Sequence, residues 1–344
     1  MTLIAEEQFM LELINRARLD PLGEAARYGL ADLNEGLAVG TITATVKEAL
    51  APNDLLDNAA TDHTLWMFAN DTFSHIGVGG SNAEDRIRAA GYAVSGFWWG
   101  ENLGQYMTTG TIPDLATVTA GIHQALFLSA GHRANILRDV FREVGIGLET
   151  GVFNNGGTNY NAALVTQNYA QYGTDVFLTG VAFNDTDNDN FYSVGEAVAN
   201  VTFSIGAAST QTAAAGGYAL KIAPGANQTV TVTPSGGSAS TVVVDLSAGN
   251  VKLDLVGGTL LRSSGHLTLV SGVANAELLG AGNLNLTGND VANRLTGNSG
   301  NNVIRAGLGN DVVIAGLGND YVFDHGGNDL VNLGDGNDYI MVGG

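Results

Sequence analysis

The sequence predicts a multidomain chain: an α/β layered domain, a small β-sandwich, then a glycine-rich solenoid. Three observations predict this. Segments of helical period fill the chain up to about Tyr172, and short alternating strands follow. From about Gly257 the text repeats with a nine-residue period, seen in Asp311, Asp320, Asp329 and Asp338. Glycine reaches 48 of 344 residues, about twice the usual share of roughly 7%.

Composition narrows the function. Lys+Arg is 14 against Asp+Glu 34, a formal net charge of −20. That excludes a nucleic-acid binder, because phosphate neutralisation needs clustered bases. An acidic surplus suits a cation binder. Cysteine is 0, so disulfides, thiolate metal sites and a Cys nucleophile are excluded. No run of 18 apolar residues predicts a membrane span. The start, Met1 to Glu7, lacks a basic, apolar leader.

In the first domain, residues 4–19 predict a helix, with Phe9, Leu13, Ile14 and Ala17 on one face and Pro21 after its end. Residues 54–69 predict a second, striped by Leu56, Ala60, His63 and Met67. Helices are also predicted over Asp85–Ala90 and Val118–Leu128, and from His132. Val144, Ile146 and Leu148 alternate as a strand. Asn154-Asn155-Gly156-Gly157 turns the chain, and Ala163, Val165, Gln167 and Tyr169 alternate back. Helices around a hairpin imply an α/β layered domain.

From Val176 to about Val256 the text is all strand, with Val201–Ile205, Tyr218–Ile222 and Thr229–Thr233 separated by turn residues. At its head lies an EF-hand-like loop. Asp185, Asp187 and Asp189 take positions 1, 3 and 5, Phe191 position 7, Ser193 position 9 and Glu196 position 12. Asn190 stands where glycine is usual, and Asn tolerates the left-handed conformation. The flanks predict strands, so this is not a true EF-hand. With Gly216-Gly217-Tyr218 downstream, residues 175–256 resemble the SdrD B-like calcium-stabilised sandwich of bacterial surface proteins. The alternative is a solvated acidic turn.

Gly307-Leu308-Gly309-Asn310-Asp311-Val312-Val313 recurs nearly intact at Gly316. These repeats resemble the RTX (hemolysin-type) calcium-binding family. The resemblance implies a parallel β-roll over residues 257–344, one coil per two repeats, with calcium between coils. Asp311 then pairs with Asp329, and Asp320 with Asp338. Asn293 and Asn302 stand at the upstream positions without the charge, and should bind weakly or cap the stack. His325 replaces a repeat glycine. Residues 286–344 hold seven Asp and two Arg, a net of −5. Stacked aspartates repel, so the roll is expected to fold only with calcium.

Phe73-Ser74-His75, Gly100-Glu101-Asn102-Leu103 and Ser129 through Leu137, with Asn15-Arg16-Ala17-Arg18 and Thr166-Gln167-Asn168, resemble the cysteine-free bacterial CAP superfamily (cysteine-rich secretory, antigen 5, pathogenesis-related). This covers the first domain, residues 1–174, and implies an α-β-α sandwich with a cleft. By motif His75, Glu101 and His132 match three of the family's four cleft residues, while Ser129 lies near the fourth. His63 is an extra candidate. Two imidazoles and a carboxylate could hold zinc or act as an acid/base pair; alternatively they only lock loops together. If His132 opens a helix, the helix end lowers its pKa.

Together these resemblances imply a secreted, calcium-binding multidomain CAP protein, exported by type I secretion without an N-terminal signal. Its cleft would bind a lipid, glycan or peptide, or the domain would engage another protein. The alternative is a metal-assisted peptidase using His75, His132 and Glu101. The end at Val342-Gly343-Gly344 opens another repeat, as a truncated or a short natural form would.

Overall fold

The computed structural model describes residues 3–93 and 96–343. Met1, Thr2 and Gly344, which entered the reading of the two ends, lie outside the described residues. The chain divides into two compact units: Met1–Gly173 with Ser193–Gly195, and Thr174–Tyr192 with Glu196–Gly344.

The first unit runs α1 (Ala5–Leu19), α2 (Pro21–Arg27), β1 (Ala51–Pro52), α3 (Asp54–Ala69), α4 (Ala83–Ala89), β2 (Trp98–Thr108), α5 (Leu115–Leu128), α6 (Ala130–Ile136), β3 (Glu143–Asn155) and β4 (Thr158–Gln171). The strands form one sheet in the order β1-β3-β4-β2. Gly156 and Gly157 both take positive φ, 59° and 84°, which sets the tight β3–β4 turn. Val144, Ile146, Leu148, Val165 and Tyr169 face α1, α5 and α6, where Met10, Ile14, Ile122 and Phe127 complete a core. The other sheet face packs α3 and α4 in two smaller clusters, around Met67 with Leu164 and around Leu56 with Ile87. The layering is α-β-α.

The predicted stripe Leu56, Ala60, His63 and Met67 is buried. Three helices begin earlier than their periodicity suggests, and polar caps set the starts of two of them. Asn82 and Asp85 cap α4 reciprocally, and Asp114 accepts from Thr117 N–H at the head of α5. His132 does not begin a helix; it is the third residue of α6. Pro21 ends nothing by itself but opens α2, with Asp20 accepting from Gly23 N–H.

The second unit begins with β5 (Val176–Phe183), β6 (Thr202–Ile205), β7 (Ala208–Gln211), β8 (Gly217–Ile222), β9 (Gly225–Thr233), β10 (Ser240–Leu246) and β11 (Val251–Val256). The short strands β12 to β21 follow: Leu260–Ser263, Leu267–Ser271, Asn275–Leu278, Asn285–Thr287, Arg294–Thr296, Val303–Arg305, Val312–Ile314, Tyr321–His325, Leu330–Asn332 and Tyr339–Gly343. From β12 on they alternate between two parallel walls, and from β15 on partners lie eighteen residues apart, as in Leu286↔Ile304 and Ile304↔Val322. This is a parallel β-roll. Its walls continue the sandwich sheets, through β10 with β13 and β11 with β12, both antiparallel. One hydrophobic core therefore runs from Val176 to Val322. Leu295, Ile304, Val313 and Val322 are fully buried, whereas Val331 and Ile340 are partly covered.

Gly145 lies directly beneath α3: a Cβ there would stand 2.0 Å from the Leu56 carbonyl carbon. Gly145→Ala should lose about 1–3 kcal/mol through overpacking. Gly121→Ala in α5, where nothing lies within 4 Å of the added carbon, should gain about 0.5–1 kcal/mol. Urea unfolding of the two variants beside the parent checks both signs.

Candidate metal centres and the histidine cleft

In the roll, each aspartate reaches back one coil. Asp329 Oδ1 accepts from Asp311 N–H at 2.7 Å, and Asp338 Oδ1 from Asp320 N–H at 2.9 Å. Asp311 and Asp320 do the same for Asn293 and Asn302. The eighteen-residue pairing is thus built from hydrogen bonds. What remains is an excess of oxygen. The Oδ2 atoms of Asp311 and Asp320 are shut off from solvent and have no protein partner. Burial pushes both carboxyls up, against the pull of the Asn293 and Asn302 N–H groups, and repulsion from Asp329 and Asp338 pushes further. Orphaned carboxylate oxygens beside stacked backbone carbonyls fit a hard cation such as calcium. The glycines let those carbonyls approach: a Cβ on Gly327 or Gly336 would meet the Gly309 or Gly318 oxygen at 1.6 Å.

Asn293 and Asn302 turn their amide oxygens to Asn289 and Asn298 N–H within their own turns, as caps of the stack. The turn with His325 keeps the ladder geometry, since Asn328 N–H donates to Asn310 Oδ1 at 2.9 Å. A second ladder, of asparagines, went unassigned in the sequence. Asn301, Asn319 and Asn337 each donate N–H to the Asn Oδ1 eighteen residues earlier. Its signal was the nine-residue recurrence of Asn. Asp324 was also missed. Burial, then Asp329 beside it and the charge of Asp311, push its carboxyl up to about 6.

In the junction loop, Asp185, Asp187 and Asp189 each place an oxygen within 4.8 Å of the others, the only such group of three or more His, Asp or Glu among the described residues. Asn188 and Asn190 both have φ 60°, the left-handed turn that Asn tolerates. Asp189 Oδ1 accepts from Phe191 N–H at 2.7 Å, and burial and the neighbouring acids push its carboxyl up. Asp185 Oδ1 is buried without a partner, which again fits a cation. Glu196 Oε1 accepts from the N–H and hydroxyl of Thr186. Ser193 falls in the other compact unit.

In the first unit β2 carries Glu101 and Asn102 to the sheet edge, where the sequence reading had no strand. Glu101 is buried, and both its oxygens are engaged. Oε1 faces His75 Nδ1 at 2.8 Å, and Oε2 accepts from the Arg86 guanidinium at 2.5 Å. Arg86, from α4, also donates to the His75 and Ser81 carbonyls, and sequence reasoning missed it. His132 Nδ1 lies 2.9 Å from Ser129 Oγ. Asn135 donates to Asn102 Oδ1 and to the Glu101 carbonyl, and Asn102 donates to the His132 carbonyl. These bonds tie α6 to β2. Burial, with His75 nearby, lowers the His132 pKa. His63 is buried on α3. Its Nε2 lies 2.9 Å from the Ser74 carbonyl and its ring stacks on Trp66. With Trp66, Asp62, Asn58 and Arg86 it lines a cavity of about 440 Å³. Trp98 is exposed under the Arg138 guanidinium, while Trp99 packs beside α3 and α4.

An α-β-α unit with a paired His75 and Glu101 and a roll of aspartate ladders together define a multidomain calcium-binding protein. The Cysteine-rich secretory protein family (CAP) matches residues 11–169, and the RTX calcium-binding nonapeptide repeat matches 287–322 and 318–344. The chain therefore joins a CAP domain to RTX calcium-binding repeats. No curated protein matches it. Solved structures similar to it include an extracellular protein containing an SCP domain from Bacillus anthracis str. Ames, at 24% identity and TM-score 0.26, covering 37% of this chain and 35% of that one. An outer surface protein from Borrelia burgdorferi is 15% identical over 45% of this chain and 96% of that, with TM-score 0.26. NaASP2 with Zn2+ is 17% identical over 49% and 80%, with TM-score 0.30. The chain thus spans about a third of the Bacillus protein.

A lowered His132 pKa keeps the ring neutral below the usual imidazole range of about 6.5. The sign follows: stability linked to this ring is full above the unfolded value and falls as pH drops below it. Histidine NMR titration should show His132 protonating at a lower pH than a free imidazole. A midpoint at or above about 6.5 contradicts the burial argument.

Proposed function

We propose that this is a secreted calcium-binding protein whose CAP cleft binds a lipid, glycan or peptide, exported by a type I route and folded by calcium outside the cell. The binding reading rests on Glu101. Both its oxygens are committed, to His75 and Arg86, so it offers no free base for hydrolysis. The same pairing orients the His75 ring. His75 and His132 each use Nδ1 on a protein group, which leaves Nε2 as the donor for a metal or ligand. Zinc is the metal this reading assigns to the pair, with Glu101 as the carboxylate behind the His75 imidazole. Zinc would supply a Lewis-acidic anchor for a ligand oxygen.

In the C-terminal half, the RTX ladders bind calcium, and we assign a further calcium to Asp185, Asp187, Asp189, the Phe191 carbonyl and Glu196. The orphaned Asp185 oxygen supports this assignment. Residues 175–256 then act as an SdrD B-like, calcium-stabilised module that follows the CAP domain and precedes the roll along the chain.

Two measurements test the proposal. Zinc titration calorimetry of the calcium-loaded chain should show binding that His132→Ala abolishes and Glu101→Gln weakens about 10–100-fold. Casein turnover that disappears in Glu101→Gln would instead favour the peptidase. Far-UV circular dichroism of the full chain should lose β signal in excess chelator and regain it with calcium, with Asp187→Ala shifting the calcium midpoint upward. A chelator-insensitive spectrum would count against calcium-dependent folding.

A further inference from the structure

In the repeats flanking Asp324 the ninth residue is inward-facing and small or apolar: Ala306 and Ala315 are fully buried, and Leu333 packs against the core. Asp324 occupies that position in its repeat and is only 6% exposed. Its Oδ1 is shut off from solvent with no protein partner. A lone carboxylate in an alanine position is unfavourable unless something answers it. Its neighbours are mostly more acid: Asp329 at hydrogen-bonding range, and Asp311, whose own Oδ2 is equally orphaned. The His325 ring pulls the other way, but less than either aspartate pushes. Asp324 and Asp329 also border a cavity on the side of the last coil, with Gly327, Ile340 and Val342.

We infer that Asp324 is a third carboxylate of the calcium site between Asp311 and Asp329, and that this site is the tightest in the roll. One cation there answers the orphaned oxygens of Asp311 and Asp324 and separates Asp324 from Asp329. The opposite wall supplies an internal comparison. Its site, between Asp320 and Asp338, has Ala315 and Leu333 at the ninth positions and so no carboxylate there. Calcium affinity rises with the number of charged ligands, so the two walls should fill in order. The extra acid lies outside the glycine–aspartate motif, so the repeat pattern alone does not reveal it.

The inference rests on calcium filling the ladders, and the test separates the two. Calcium titration calorimetry of the full chain, from chelator-stripped protein, should resolve a tight and a weaker phase. Asp324→Ala, which restores the residue of the neighbouring repeats, should weaken the tight phase about tenfold or more and leave the weaker one. Asp338→Ala should do the reverse. Asp324→Ala should also raise the thermal midpoint in chelator, because it removes an unanswered buried charge. Asp324→Asn keeps the shape and serves if the alanine variant does not fold; it too should weaken the tight phase. A tight phase unchanged in either Asp324 variant, with Asp338→Ala still effective, overturns this inference alone. No calcium uptake by the parent chain overturns the ladder reading with it.

Discussion

The C-terminal unit depends on one constraint: whatever a residue in the roll presents must be compatible with the same kind of residue eighteen positions away. Parallel coils stack about 4.8 Å apart. Apolar residues profit from this, and Leu286, Ile304 and Val322 form one dry column. Asparagines profit too, because each amide oxygen takes the next coil's N–H. Aspartates instead take the preceding coil's N–H with one oxygen, and they bring like charges together. At such spacing a pair repels by roughly 1–4 kcal/mol between the dielectrics of water and a protein surface. Calcium converts that repulsion into shared ligation. Asn293 and Asn302 stand at the same positions and bring no charge to the stack.

The CAP domain meets the problem of a buried carboxylate differently. Glu101 is held by the Arg86 guanidinium and the His75 ring, both from its own unit. Asn102, Asn135 and the His132 carbonyl extend the bonding to α6. Such a network is satisfied without a metal, and its members fix one arrangement of the loops. The Nδ1 atoms of His75 and His132 are thus both engaged by groups of this frame.

What could be read in the sequence followed from repetition and periodicity. The roll, its coil length and the Asp311–Asp329 and Asp320–Asp338 pairs were legible because the period repeats them. The long helices α1 and α3 were legible from their stripes. Strand β2 was not, because Gly100, Glu101 and Asn102 carry no hydrophobic alternation; their burial comes from β4 and α6. Arg86 was missed because its partner lies fifteen residues away on another element. Asp324 was hidden by the motif itself: attention to the glycine–aspartate column passes over the ninth position, which matters only once the chain is coiled.

The continuous core changes what calcium acts on. Because β10 pairs with β13 and β11 with β12, the sandwich provides the first coil's template and the roll covers the sandwich's sheet edges. Each added repeat buries one apolar side chain, worth roughly 1.5–3 kcal/mol, while ordering nine residues costs more than that. Apolar burial alone therefore does not offset the cost of ordering the coils far from the sandwich, and each leans on the coil beneath it. Val331 and Ile340 are only partly covered, so the last two repeats gain least from burial. Order in the roll should thus spread outward from β12 and β13, with ion binding between Asp311 and Asp329 joining the coil that carries Val322 to the one beyond it.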